Sequence, residues 1–165
     1  MKIRIGIGIG ISLFIASVAR ALTLPAIGPN PADHTRSGSP GYLQVFSATE
    51  KSIQVAGDDP QQFDLHTGYE IFDPSGKVIA YVPNHINQME QWPDLKALPP
   101  GEYKILAQST WCGVVTVPVV IEKGKTTNVH LDNNNWACPS HPKTSEFVLL
   151  PNGDVAGWGV TSASH

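Results

Sequence analysis

Hydrophobic and polar residues alternate one by one in several stretches of the chain, a spacing that places one face of a β-strand against a core. In EYKILAQ (residues 102–108), tyrosine, isoleucine and alanine alternate with lysine, leucine and glutamine. Pro99, Pro100 and Gly101 come directly before it. The prolines lack the amide hydrogen that a sheet ladder needs, and the glycine permits a change of direction. A corner that leads through a tyrosine into an alternating strand is typical of a β-sandwich.

Other stretches add strands and the turns between them. YLQVFSAT (42–49) is a first strand, and YEIFDPSGKVIAYV (69–82) is a hairpin whose centre, DPSG (73–76), has the residues of a type I turn. EFVLLPNGDVAGWGV (146–160) repeats strand, turn and strand around PNGD. With the remaining candidates these give about seven strands. The chain is therefore predicted to be all-β, a small antiparallel β-sandwich over residues 42–160.

VVTVPVVIEKGKTTNVHL (114–131) predicts a second hairpin. Pairing Ile121 with Thr127 keeps both apolar rows on one side and places Leu131 beside Val117. Pro118 cannot donate to a ladder, so this strand is expected to have a free edge there. Polar and turn-forming residues fill 57–68, which is predicted to be a loop.

The N-terminus has the three parts of a secretory signal peptide. Lys2 and Arg4 precede an uncharged apolar run over residues 5–19, and Ala19-Arg20-Ala21 places small residues where a signal peptidase cuts. We expect cleavage after Ala21, so residues 1–21 form the signal peptide and the protein is exported: periplasmic, secreted or on the cell surface. The alternative is an uncleaved anchor, although the run is shorter than the roughly 20 residues that span a bilayer.

Residues 22–41 contain four prolines and three glycines and predict a flexible lead-in. The chain is 41% hydrophobic and 15% charged, which fits one folded domain. Cleavage would lower the number of basic residues from 11 to 8, while all 14 acidic residues remain. The net charge would then be 8 − 14 = −6. Because the cations are scattered, neither nucleic acid nor stable membrane insertion is expected; the expected partner is a protein or a glycan of the cell envelope.

Three motifs together resemble a known group of domains. The succession YEIFDPSGKVIA, LPPGEYKI and VPVVIEKGKTTNVHL is similar to that of the transthyretin-like β-sandwiches. This group includes carboxypeptidase regulatory-like domains and the B-type repeats of bacterial surface proteins. The resemblance covers roughly residues 42–131. It implies a sandwich that serves as a stalk, an adhesion module or an appendage of an enzyme. The lysine of the internal lysine–asparagine bond in many B-type repeats has no counterpart in YLQVFS.

The two cysteines predict one disulfide, because exported chains with two cysteines most often pair them. If Leu131 lies beside Val117, the next seven residues bring Cys138 near Cys112. The alternative is a free reactive thiol at Cys112 with a histidine base, but no local motif supports it.

No catalytic or metal-binding motif is present in the sequence, and no cofactor is expected. The histidines show neither H-x-H nor H-E-x-x-H, and the serines show no G-x-S-x-G. His130 stands between two apolar residues of an alternating strand and is expected on the surface. His66 and His85 are placed in loops, where they are the candidates for a metal or acid–base site if one exists.

Tryptophan and asparagine residues provide the candidate binding surface. Trp111 precedes one cysteine and Trp136 precedes the other by two, and Asn133, Asn134 and Asn135 lie beside the second. The tryptophans either pack over the disulfide or form an exposed platform that stacks on a sugar or grips a protein loop. The sequence thus predicts an exported, non-catalytic interaction module. The alternatives are a carbohydrate-binding module and an accessory domain of a hydrolase.

Overall fold

The computed structural model of the protein describes residues 21–33, 40–56, 59–85, 87, 89, 91–132 and 143–160. Several residues named above lie outside this part of the chain, so predictions about them stay predictions. They are the signal-peptide residues 1–20, together with Asn133, Asn134, Asn135, Trp136 and Cys138.

The fold is all-β, as predicted. In the described ranges the only helical element is a single 3₁₀ turn, Thr144–Glu146, and no helix there is long and apolar enough to cross a membrane. The strands, in chain order, are Leu22–Thr23 (β1), Ile27–Gly28 (β2), Gly41–Phe46 (β3), Thr49–Ala56 (β4), Asp59–His66 (β5), Tyr69–Phe72 (β6), Val78–Val82 (β7), Leu95–Leu98 (β8), Gly101–Ser109 (β9), Gly113–Ile121 (β10), Thr126–His130 (β11), Phe147–Leu149 (β12) and Val155–Gly159 (β13).

The strands form two facing sheets and one separate hairpin. The large sheet has the order β12-β13-β2-β10-β9-β6-β7, with β1 also paired to β10, and the small sheet has the order β11-β3-β8. β4 and β5 form a two-stranded sheet of their own. The core lies between the two main sheets, where β10 contacts β3 and β11, and β2 and β13 contact β11. Its fully buried members include Ile27, Leu43, Val45, Ile71, Ile105, Val115, Val117, Val129 and Leu131.

The corner before β9 is closed by the tyrosine that follows it. The Tyr103 hydroxyl donates a hydrogen bond to the Pro99 carbonyl at 3.0 Å. Gly101 takes a φ of 158°, an extended conformation that starts the strand. Ile105 and Ala107 are buried on one face of β9, while Lys104 on the other face is exposed. The alternation thus places the predicted face in the core.

Both predicted turns are present. Between β6 and β7, the Asp73 carboxylate accepts hydrogen bonds from the Ser75 hydroxyl at 2.6 Å and from the Lys77 N–H at 3.0 Å. These two bonds hold the pKa of Asp73 below its usual value. Gly76 supplies the positive φ of 87° that the turn requires. Between β12 and β13, the Leu150 N–H donates to the Asp154 carbonyl at 2.8 Å.

The predicted hairpin of residues 114–131 is wrong. β10 pairs antiparallel with β9, placing Ile121 opposite Gly101, whereas β11 pairs in parallel with β3 in the other sheet. The connecting turn carries the chain across, since the Gly124 N–H donates to the Pro40 carbonyl at 3.2 Å. The two apolar rows therefore face each other through the core instead of lying side by side. Alternation shows that a face is buried, but it does not identify the neighbouring strand.

β10 is not an edge strand, because it has neighbours on both sides, but the ladder on the side of β1 and β2 has no partner for Pro118 within the described strands. The Thr116 carbonyl accepts from the Leu24 N–H at 3.1 Å, and Pro118, two residues later, turns its ring nitrogen toward the same side. That side is occupied by the short interval between β1 and β2. The proline thus sits where the ladder is interrupted, and it needs no donor there.

The flexible lead-in predicted for residues 22–41 does not hold for its first part. β1 and β2 pair in parallel with β10, and Leu24 and Ile27 are buried in the core. The prolines limit each strand to two residues but do not prevent pairing at Leu22, Thr23 and Ile27. Residues 34–39 lie outside the described chain.

The loop predicted for residues 57–68 is largely a strand. β5 pairs with β4 from Thr49 opposite His66 to Ala56 opposite Asp59. Gln61 and Gln62 are exposed, so burial does not penalise their polar side chains. The polar composition of residues 57–68 indicated a loop, but the exposed face of a strand such as β5 does not need apolar residues.

Candidate functional site

The predicted binding end of the sandwich contains an exposed tryptophan. Trp111 lies in the turn between β9 and β10, and 67% of its surface is exposed. The N–H of Thr110 donates to the Leu131 carbonyl at 2.9 Å, so this turn lies beside the end of β11. The segment with Asn133, Asn134, Asn135 and Trp136 starts two residues further on and lies outside the described residues. Trp111 is thus largely exposed, and its predicted platform with Asn133, Asn134, Asn135 and Trp136 stays a prediction.

Cys112 lies in the same turn, half-buried and packed against the core. Cys138 lies outside the described residues, so the Cys112–Cys138 disulfide stays a prediction. The hairpin register that favoured it is incorrect. In the structure Cys112 is a free cysteine, and the hydrogen bond from Thr110 to Leu131 places its turn beside the end of β11.

A cluster of aromatic and imidazole rings surrounds Phe46, the last residue of β3. Phe46 stacks on His130, with centroids 4.4 Å apart, and meets the edges of His66 at 5.7 Å and Trp92 at 6.3 Å. His130 is only 7% exposed and His66 only 5%, so the expected surface and loop positions of these histidines are wrong. Burial, together with the nearby His66, lowers the pKa of His130 from 6.5 to about 4.

A buried amide that the sequence analysis did not identify organises this side of the molecule. Asn84 follows β7, is completely buried and has a φ of 69°. Its Nδ2 lies 2.8 Å from the Val45 carbonyl, 2.9 Å from the Ser47 hydroxyl and 3.2 Å from the Thr67 carbonyl. Its Oδ1 accepts from the Asp94 N–H at 3.2 Å. One side chain thus joins β3, both ends of the β4–β5 hairpin and the segment before β8.

The sequence around Asn84 does contain a signal for its backbone conformation. Asparagine tolerates the left-handed conformation better than other residues with a Cβ, and here it follows Pro83 at the end of an apolar strand. That pattern indicates a turn. It does not indicate that the amide is buried, because the acceptors come from residues 17 to 39 positions away.

A cleft of about 430 Å³ opens beside Asn84, between the base of the hairpin and the end of β7. Its walls include His66, Thr67, Tyr81 and His85, and Glu50 and Lys51 stand on its hairpin side. His66 and His85, the two histidines that the sequence singled out, are therefore brought to one cavity. Within the described residues, no three His, Cys, Asp or Glu side chains are placed to hold a metal ion.

Comparisons of the chain with protein-family models, with curated proteins and with solved structures found no match. The resemblance to transthyretin-like sandwiches therefore rests on the motifs of the sequence.

Proposed function

We propose that the protein is an exported, non-catalytic interaction module that binds an envelope protein through the loop end of its sandwich. The observation that carries this proposal is the exposed indole of Trp111. Large aromatic side chains provide much of the energy of protein recognition, and loops at one end of a sandwich are common binding surfaces. The turn is hydrogen-bonded to the end of β11, so little conformational entropy is lost there on binding.

Export is part of the same proposal. Leu22, the first residue after the proposed cleavage site, already pairs with Val115 of β10, so cleavage after Ala21 leaves the described strands whole. The intact mass of the secreted protein is expected to correspond to a chain that begins at Leu22. A full-length chain recovered from the cytosol would contradict export.

The test of the binding surface compares two equally exposed tryptophans. Trp111 and Trp92 are 67% and 68% exposed, and Trp92 lies in the segment before β8, against Phe46 and not in the β9–β10 turn. Immobilised wild type, Trp111→Ala and Trp92→Ala are each used to capture partners from a native envelope extract. We expect Trp111→Ala to lose the captured partner while its melting temperature stays near that of the wild type. Equal capture by Trp111→Ala and wild type would exclude this surface.

Carbohydrate binding is the second candidate for the same end. Indole rings stack on sugar faces as readily as they pack against protein loops. Isothermal titration of the wild type and Trp111→Ala with soluble envelope glycans separates the two. Binding heat that is seen with the wild type and lost in Trp111→Ala would favour a glycan ligand. Capture of a protein by the wild type, with no binding heat from the glycans, would favour a protein partner. We further propose that the chain is a divergent transthyretin-like sandwich, which an experimental structure aligned with that family would test.

A further inference from the structure

The cleft beside Asn84 contains polar groups that the fold does not satisfy. Thr67 Oγ1 and His85 Nδ1 are shielded from solvent and make no hydrogen bond within the described part of the chain. Buried polar atoms are nearly always paired, because an unpaired one costs about 1–3 kcal/mol. Both residues line the cleft and are only half-buried as a whole, so bonding to a molecule in the cleft requires a side-chain rotation that turns the polar atom toward it.

A third polar group in the cleft has a fixed role. His66 Nδ1 lies 2.7 Å from the Ser47 carbonyl, which can only accept, so Nδ1 carries the proton of the neutral ring. Nε2 is then left with its lone pair and can accept a hydrogen bond. The cleft thus combines an imidazole acceptor with a hydroxyl that can both donate and accept.

The wall of the cleft is held rigidly. Pro83 and His85 flank Asn84, whose left-handed φ is maintained by hydrogen bonds to β3 and to the base of the hairpin. Strain of this kind occurs often at binding sites, where it fixes the geometry before a ligand arrives. Tyr81 lies directly over Gly68, because a Cβ on Gly68 would collide with the tyrosine hydroxyl. The ring is 65% exposed and presents a flat apolar surface at the edge of the cleft.

The charges select the class of ligand. Glu50 and Lys51 bring one negative and one positive charge to the hairpin side, so the cleft does not favour an ion of either sign. Hydroxyl and imidazole groups suit a neutral ligand with many hydroxyls, and an exposed phenol ring suits the C–H face of a sugar. The volume of about 430 Å³ lies in the range of small-molecule sites, roughly 300–1,000 Å³.

We propose that this cleft is a saccharide-binding site, in which Thr67, His66 and His85 bond to hydroxyl groups and Tyr81 stacks on the sugar ring. The site does not depend on the proposed function. It lies at the same end of the sandwich as Trp111 but on other residues, since the Thr67 N–H donates to the Ala48 carbonyl and the Ala48 N–H to the Gln108 carbonyl, each at 2.8 Å.

The test is a titration of the full secreted chain followed by NMR. The probes are cellotetraose, chitotetraose, maltotetraose and mannotetraose, with phosphate and Zn²⁺ as charged comparisons. We expect at least one saccharide to shift the amide signals of Gly68, Tyr81 and His85 at millimolar concentration, and neither ion to shift them. No response of these amides to any of the four saccharides, or a response to an ion alone, would overturn the proposal. A response confined to residues 110–113 would overturn it too, while supporting the function proposed above.

Two variants distinguish binding from a structural role. Tyr81→Ala should raise the dissociation constant about tenfold. Ile79→Ala, two residues earlier on the same strand face, should leave it unchanged. Thr67→Val keeps the side-chain shape and removes the unpaired hydroxyl. It should lower affinity while the melting temperature of the free protein stays constant or rises. A lower melting temperature with unchanged affinity in Thr67→Val would show that the hydroxyl serves the fold and would contradict its role in binding.

Discussion

Two strand pairs of nearly equal length behave very differently in this protein. β9 and β10 pair over nine positions, from Ser109 opposite Gly113 to Gly101 opposite Ile121, and β4 and β5 pair over eight. In the first pair Ile105 is fully buried, whereas in the second Ile53 is 65% exposed. A backbone hydrogen bond adds little net stability, while burial of an aliphatic side chain adds about 1.5–3 kcal/mol. The β9–β10 pair therefore forms the centre of the fold, and the hairpin depends on its attachment at the base.

The largest expected effect comes from shortening the same residue type in both pairs. Ile105→Ala removes buried methyl groups and leaves a cavity, which should lower the free energy of unfolding by about 2–5 kcal/mol. Ile53→Ala, on the exposed face of the hairpin, should change it by less than about 0.5 kcal/mol. Urea denaturation of both variants measures the difference. Equal losses of unfolding free energy in the two variants would show that Ile53 is covered in solution. They would contradict the contrast between the two strand pairs.

The second effect is a change of stability with pH, and it arises from His130 in the sandwich. In the unfolded chain His130 takes up a proton near pH 6.5, but its pKa in the fold is about 4. Between these values the unfolded state binds more protons, so stability is complete above pH 6.5 and falls as the pH drops to 4. A shift of this size corresponds to about 3 kcal/mol.

The matched variant isolates this histidine from the carboxylates that also titrate in acid. His130→Phe keeps a ring against Phe46 and removes the titrating group. Its loss of stability between pH 6.5 and 4 should be smaller than that of the wild type by about the same 3 kcal/mol. If the stability of the two proteins falls equally between pH 6.5 and 4, His130 is not the source of the pH dependence.

The third effect concerns the connection between the two regions. Asn84→Ala removes the amide that joins Val45, Ser47 and Thr67, and it leaves a Cβ at a φ of 69°. We expect a loss of about 2–3 kcal/mol, together with faster amide hydrogen exchange in β4 and β5 than in β9 and β10.

Asn84→Gly serves as its control, because it also removes the amide but accepts the positive φ without strain. It should be less destabilised than Asn84→Ala by about 1 kcal/mol. If the hairpin amides keep their protection in both variants, the amide does not hold the hairpin to the sandwich.

The smallest effect is expected at the exposed apolar residues of the hairpin. Ile53 and Val55 are 65% and 72% exposed, and replacing both by threonine keeps the β-branched shape. The free energy of unfolding should change by less than about 0.5 kcal/mol. A fall in stability that depends on protein concentration would indicate that these residues pack against a second copy, and it would revise the view of an uncovered hairpin.

The sequence alone determined the features that depend on residues close together in the chain. The alternation of β9 identified its buried face, the proline–glycine corner marked its start, and the residues around Asp73 and Asp154 located two turns. Steric limits on φ, together with the two-residue period of a strand, act over a few residues, so they can be read locally. The same local rules predicted the all-β class.

Only the tertiary structure decided which strands are neighbours and which polar groups are buried. β11 pairs with β3 and β1 with β10, although neither pair is adjacent in sequence. His130 alternates as a surface residue would, but Phe46 covers it. Asn84 finds acceptors up to 39 residues away, and the cleft beside it is built from three separate strands and their ends. Pairing and burial depend on how distant segments meet, and a hydrophobic pattern carries no information about that choice.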